Sequence, residues 1–189
     1  MKRFVLIFVF SIVAFSYSSA QDKPSVAEDP NGGYLALGYD FILTDEVDGK
    51  WSLSVEYRNK RYFGNAIYAG FGLGLYFPHT NTSIKDYDMQ VKTSQTHFLL
   101  PVFIGAGNKT GKFTLDTGPY LDWGIAGKTT VKYGGETEVT RLKDQEGVKR
   151  VSFGWQFMLR AGIIHFGVRL PFPQDDVDPV SMLTLGVTF

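Results

Sequence analysis

The sequence predicts an all-β protein, an eight-stranded antiparallel up-and-down barrel. Three observations predict it. Apolar and polar residues alternate with period two through nearly all of the chain beyond residue 30. No helical period of useful length interrupts that alternation. The alternating segments number eight, an even count that lets an up-and-down sheet close on itself.

Composition agrees. A hydrophobic fraction of 44% excludes disorder of the whole chain. Abundant glycine (21 residues) and phenylalanine (16 residues) suit many short strands better than a helical bundle. Cysteine is absent, so there is no disulfide framework and no thiolate metal site. Cations and acids number 19 each over 189 residues. Lys2 and Arg3 fall in the first 20 residues, which hold no acid, so the remainder carries 17 cations against 19 acids. That balance excludes a nucleic-acid binder driven by global positive charge.

The chain opens with an export pattern. Met1-Lys2-Arg3 is a cationic start, Phe4–Phe15 is apolar apart from Ser11, and Ser18-Ser19-Ala20 supplies small residues before Gln21. Residues 1–20 therefore read as a cleaved signal peptide. The apolar run is short for a membrane span of about 20 residues. Residues 21–32, with their prolines, glycines and charges, read as a flexible leader, and 33–189 as one barrel domain.

Each strand then follows from its alternation. In Gly33–Thr44, Leu35, Leu37, Tyr39, Phe41 and Leu43 oppose Ala36, Gly38 and Asp40. In Trp51–Arg58, Trp51, Leu53, Val55 and Tyr57 oppose Ser52, Ser54, Glu56 and Arg58. Ala66–Phe77 sets Ile67, Phe71, Leu73 and Leu75 against Tyr68, Gly70, Gly72, Gly74 and Tyr76. Asp88–Gly107 is less regular: Val91, Thr93, Gln95 and His97 alternate with Lys92, Ser94 and Thr96, and Phe98–Ile104 is apolar on both faces. Phe113–Ile125 sets Phe113, Leu115, Leu121, Trp123 and Ile125 against Thr114, Asp116, Gly118, Tyr120 and Asp122. Val151–Ala161 sets Val151, Phe153, Trp155, Phe157 and Leu159 against Ser152, Gly154, Gln156, Met158 and Arg160. Ile164–Leu170 and Ser181–Phe189 finish the pattern, with His165, Gly167 and Arg169, then Thr184, Gly186 and Thr188, on the polar face.

The chemistry of the two faces decides which one points outward. The apolar faces carry no formal charge and most of the bulk, including Trp51, Tyr57, Phe71, Trp123, Trp155 and Phe157. The polar faces are rich in glycine and hold isolated charges. An eight-stranded interior is narrow and filled by side chains, so small residues and paired charges fit inside it while the aromatics face lipid. Lipid offers no hydrogen bonds, and only helices and closed barrels span it. The fold class is therefore a transmembrane barrel with a small plugged lumen.

Loop lengths orient it. With both termini on the periplasmic side, the turns near Asn59–Gly64, Asn108–Gly111 and Ala161–Ile163 are short. The loops Thr44–Lys50, Pro78–Tyr87, Lys128–Arg150 and Pro171–Pro179 are longer and face outward, the expected asymmetry. Trp51 and Trp123 then lie near the outer rim and Tyr57 and Phe113 near the inner one. Leu185, Val187 and Phe189 end the final alternating strand, which resembles the insertion signal of outer-membrane barrels.

Several stretches together carry a family resemblance. His97-Phe98-Leu99-Leu100-Pro101-Val102-Phe103, Phe113-Thr114-Leu115-Asp116-Thr117-Gly118-Pro119-Tyr120-Leu121, Phe153-Gly154-Trp155-Gln156 and Leu185-Gly186-Val187-Thr188-Phe189 resemble the PorT-like outer-membrane β-barrel family. The resemblance implies an eight-stranded barrel of Gram-negative outer membranes and no single shared activity. It includes prolines at Pro101 and Pro119, which within strands of a closed barrel require local bulges.

The candidate lumen network is Asp40, Glu56, Asp116 and Asp122 with Arg58, Arg160 and Arg169 as counterions, His165 nearby and Lys128 near the mouth. Buried charges are tolerated when paired and hydrogen-bonded, so a structural plug is favoured over a narrow ion path. Two other function classes remain. One is an outer-membrane barrel hydrolase of lipid or peptide, for which His79, in the outer loop near Asp86, is the candidate base. The other is a soluble periplasmic lipid-binding barrel. Gly70-Phe71-Gly72-Leu73-Gly74 lacks the lysine and helix of a phosphate loop and reads as small lumen residues. No cofactor, metal or nucleic acid is indicated. The expected partners are outer-membrane lipid, the barrel-insertion machinery, and a protein docking at the charged outer loops.

Overall fold

The computed structural model describes residues 32–43, 49–84, 87–108, 112–144, 150–173 and 181–189. The segments read as signal peptide and leader lie outside these residues, apart from Gly32.

Nine antiparallel strands form one sheet: β1 (Gly32–Leu43), β2 (Gly49–Phe63), β3 (Ile67–Ile84), β4 (Met89–Gly107), β5 (Phe113–Tyr133), β6 (Glu136–Arg141), β7 (Val151–Ala161), β8 (Ile164–Pro171) and β9 (Ser181–Thr188). The sheet order is β4-β3-β2-β1-β9-β8-β7-β5-β6, and β4 also pairs with β5. Eight strands thus close a ring, with β6 outside it. The chain ends join at β1 and β9, where Leu35 and Phe189 exchange backbone hydrogen bonds of 3.2 and 2.9 Å. Among the described residues no helix is long and apolar enough to cross a membrane, a statement that leaves crossing by strands open.

Two expected loops are in fact strand. Pro78–Tyr87 was expected as an outer loop, yet β3 runs through Pro78 to Ile84, paired with β4. Lys128–Arg150 was expected as a charged loop, yet β5 continues to Tyr133 and returns as β6, with Lys128 opposite Arg141 and Tyr133 opposite Glu136. Gly134 and Gly135 join them with φ of 55° and 87°. Two successive residues at positive φ make a two-residue hairpin whose twist matches its strands. A short 3-10 turn, Leu142–Asp144, follows.

The ring is therefore uneven. β8 and β9 have 8 residues each and β7 has 11, close to the roughly 9–11 a tilted strand needs to cross a bilayer. β3, β4 and β5 have 18, 19 and 21. Their excess rises at the end away from the chain termini as a freestanding sheet.

Among the described residues the ladder holds one bulge, and the prolines do not cause it. The β4–β5 register shifts between Thr96 and His97, because Thr96 pairs with Ala126 and His97 with Gly124. Ile125 is the extra residue, and the parity of β5 reverses there. At Pro101 and Pro119 the expected bulges are absent. The register is the same on either side, and the ladder skips a few pairs: Phe71 pairs with Val102 and Gly74 with Leu99, while nothing between them pairs. Gly72 makes this workable, since a Cβ there would lie 2.8 Å from the Pro101 ring.

Candidate functional site

The two faces of the ring have opposite chemistry. Phe71, Trp155 and Phe157 are 49%, 38% and 44% exposed on the outside, whereas Asp116, Arg58 and Arg169 are 1%, 0% and 2% exposed on the inside. Trp51, Tyr57 and Trp123 are also exposed on the outer surface. The indole N–H of Trp155 donates to Thr117 Oγ1 at 2.6 Å, and that hydroxyl donates to the Gln156 carbonyl at 3.0 Å. An otherwise apolar surface thus leaves no bare donor at Trp155. On β9 and just after it Leu185 and Phe189 are exposed, while Val187, on the same outward face between Leu37 and Ile164, is buried.

Inside, a chain of alternating charge crosses the ring. Arg169 reaches Asp40 Oδ1 (3.4 Å) and Glu56 Oε2 (3.1 Å); Arg58 reaches Glu56 Oε1 (2.7 Å) and Asp116 Oδ1 (3.0 Å). Asp40 also accepts from Ser54 (3.3 Å) and Thr184, and Asp116 from Tyr68 (3.2 Å). Five charges from β1, β8, β2 and β5 are thereby linked Asp40–Arg169–Glu56–Arg58–Asp116. Each of these three carboxylates has a cation, and each of the two cations has two carboxylates, the arrangement that makes buried charge tolerable.

Two expected members have other contacts. Asp122 bonds no arginine; it accepts from Tyr76 and Ser152 (3.4 Å) and lies 2.7 Å from His97 Nδ1. His97 Nε2 in turn lies 2.9 Å from Gln95 Oε1. Arg160 stacks over the Tyr34 ring at 4.8 Å and donates to the Gly162 carbonyl at 3.1 Å. His165 is buried within the ring. Lys128, expected near the mouth, instead faces outward, because it follows the bulge.

The sequence reading missed Lys60, assigned there to a turn. It lies in β2, buried, with its ammonium 5.5–5.6 Å from the rings of Tyr34, Tyr62 and Tyr68. The buried acids and buried Lys/Arg cations of the described residues thereby number four each. Continuing the Trp51–Arg58 alternation by two residues would have found it.

The expectation that bulk stays outside also needs correction. Ile42, Tyr76, Leu99, Tyr120 and Met182 pack together inside, toward the outer end. Tyr62, Tyr68 and Phe103 pack together toward the inner end. The inward glycines of β3 make room for residues of β4: a Cβ on Gly70 would lie 2.7 Å from the Phe103 ring. Leu142 of the 3-10 turn is buried over Gly124 at the outer mouth. The charged chain therefore shares the interior with two clusters of large side chains, whose Tyr68 and Tyr76 hydroxyls bond Asp116 and Asp122.

His79 lies within β3 rather than in a loop, and Asp86 lies outside the described residues. His79 Nδ1 is 2.7 Å from Ser94 Oγ on the outer surface, with its ring against Trp51. A nucleophile–base pair needs a third group to orient the base, and no carboxylate bonds His79 among the described residues. No group of three or more metal-binding side chains occurs among them either.

No protein-family model matches the chain, and no curated protein matches it. Among solved structures it is similar to Ail, the attachment invasion locus protein of Yersinia pestis, with a TM-score of 0.43 at 13% identity over 84% of this chain and 99% of that one. It is also similar to Neisserial surface protein A, with a TM-score of 0.37 at 8% identity over 84% of this chain and 94% of that one. At this level the likeness is one of outline and carries no function with it.

Proposed function

We propose that the chain is an integral β-barrel of a Gram-negative outer membrane, PorT-like in kind, with a structural, anchoring or surface-interaction role. It is neither an open pore nor an enzyme in this reading. The observation that carries it is the inversion of the two faces. A water-soluble barrel would expose its charges and bury Phe71, Trp155 and Phe157; here the exposed belt is apolar and the ion pairs are enclosed. The belt suits outer-membrane lipid, and the terminal Leu185, Val187 and Phe189 suit recognition by the insertion machinery. The rising β3–β6 sheet is the place for a protein partner. The large side chains packed inside toward both ends favour a plugged lumen over an ion path, and no cofactor enters the reading.

Two measurements test it. The protein should fractionate with outer membranes and migrate faster on gels unheated than boiled; recovery from the periplasm without detergent would favour the soluble lipid-binding barrel. In planar bilayers the purified protein should show no steady conductance, and large steady currents would refute the plug.

A further inference from the structure

Above the apolar belt the outer surface of the rising sheet changes character. The ladder aligns Trp51, His79, Ser94, Lys128 and Arg141 across β2–β6 in one row. One step below, Leu53 pairs with Phe77, and both are exposed and apolar. One step above, Lys92 stands opposite Thr130. On β5, Lys128 and Lys132 flank Thr130 on the same face. Both are diagonal neighbours of Lys92, within about 7–8 Å.

Four exposed cations thus surround one threonine hydroxyl, and no acid of β3–β6 shares their face among the described residues. Glu136 and Glu138 stand opposite Tyr133 and Val131, on the face continuous with the lumen. Lys128 and Arg141 are paired directly, where like charges repel across a Cβ separation of about 5 Å. The bulge at Ile125 creates this segregation: without it, Lys128 and Lys132 would turn toward the barrel axis.

We propose that the face formed by Lys92, Lys128, Lys132 and Arg141 around Thr130 binds the phosphate of anionic lipid headgroups in the leaflet that the barrel crosses. This rests on the membrane reading above. Charge complementarity selects the ligand, and position selects its source. The row begins where the apolar belt ends, at the height where an acyl chain lying on Leu53 and Phe77 presents its headgroup. Cations at a membrane surface contribute about 1 kcal/mol each toward anionic lipid, close to fivefold in affinity.

The test uses the full mature chain with Trp123→Phe and Trp155→Phe, leaving Trp51 as the sole indole in the row. Reconstituted in vesicles, its fluorescence is quenched by brominated phosphatidic acid or brominated phosphatidylcholine. The expected result is preferential quenching by the phosphatidic acid, reduced about fivefold for each cation removed in K128Q and K128Q/R141Q. Both sites are exposed, and neutralising them relieves repulsion, so folding is retained. Equal quenching by the two lipids, unchanged in K128Q/R141Q, would overturn the proposal and leave the membrane reading intact. Absence of quenching by either lipid would overturn the membrane reading itself. Loss of the preference on adding dissolved inorganic phosphate would mean the face takes free phosphate, which overturns the lipid source.

Discussion

The outer surface of this molecule has two zones built on the same strands. On the ring, β3, β4 and β5 present Phe71, Leu73, Val102 and Leu115 to the surroundings; above the bulge, β4 and β5 present Lys92, Lys128 and Lys132. The backbone is continuous and the hydrogen-bond ladder hardly changes. A single extra residue, Ile125, exchanges the two faces of β5 at the boundary. A strand's facing is a running count, and one insertion resets it for everything that follows.

The contrast between enclosed ion pairs, apolar belt and rising sheet can be broken at graded cost. The largest effect belongs to the enclosed charges. Arg58→Met removes the cation paired with Asp116 and one of the two on Glu56, and leaving the buried Asp116 carboxylate unpaired should destabilise the ring by about 3–5 kcal/mol, read from urea unfolding in lipid vesicles. An unchanged midpoint would mean that the Asp116 carboxylate is not ionised or not enclosed.

Phe157→Arg places a charge on the belt at mid-height, with an expected loss of about 2–4 kcal/mol in the same assay. A smaller loss follows from Thr117→Val, which strips the Trp155 indole N–H of its acceptor. A bare donor facing lipid costs about 1–3 kcal/mol, and Trp155→Phe in the same background should recover most of it. The smallest effect should come from Thr137→Glu, on the outward face of β6 opposite Lys132. That residue is exposed above the belt, so stability should stay within about 0.5 kcal/mol. A loss as large as that of Phe157→Arg would mean the belt extends over the rising sheet.

These regions were not equally legible in the sequence. Alternation located the eight ring strands and put Asp40, Glu56, Arg58, Asp116 and Arg169 on one face, because period two depends only on local order. The pairing among them was not legible, since Asp40 and Arg169 are 129 residues apart and meet only through ring closure. Asp122 was expected to have an arginine and is held by His97 and Tyr76, a choice made by strand stagger. The hairpin of β5 and β6 did leave a signal in Gly134-Gly135, hidden by the high charge of its flanks. The bulge left none: Ile125 continues the apolar alternation of β5, so the reversal that turns Lys128 outward shows only once β4 lies alongside.

The uneven height of the ring has a geometric consequence. A barrel with a level rim would be indifferent to rotation about the membrane normal. In this one the described strands differ in reach, with β3–β5 running 18 to 21 residues and β8 and β9 only 8 each. In the proposed membrane setting, a neighbour drifting laterally would meet a lysine-bearing wall of long strands from one bearing and short strands from the opposite one, so encounters in the plane are distinguished by compass direction.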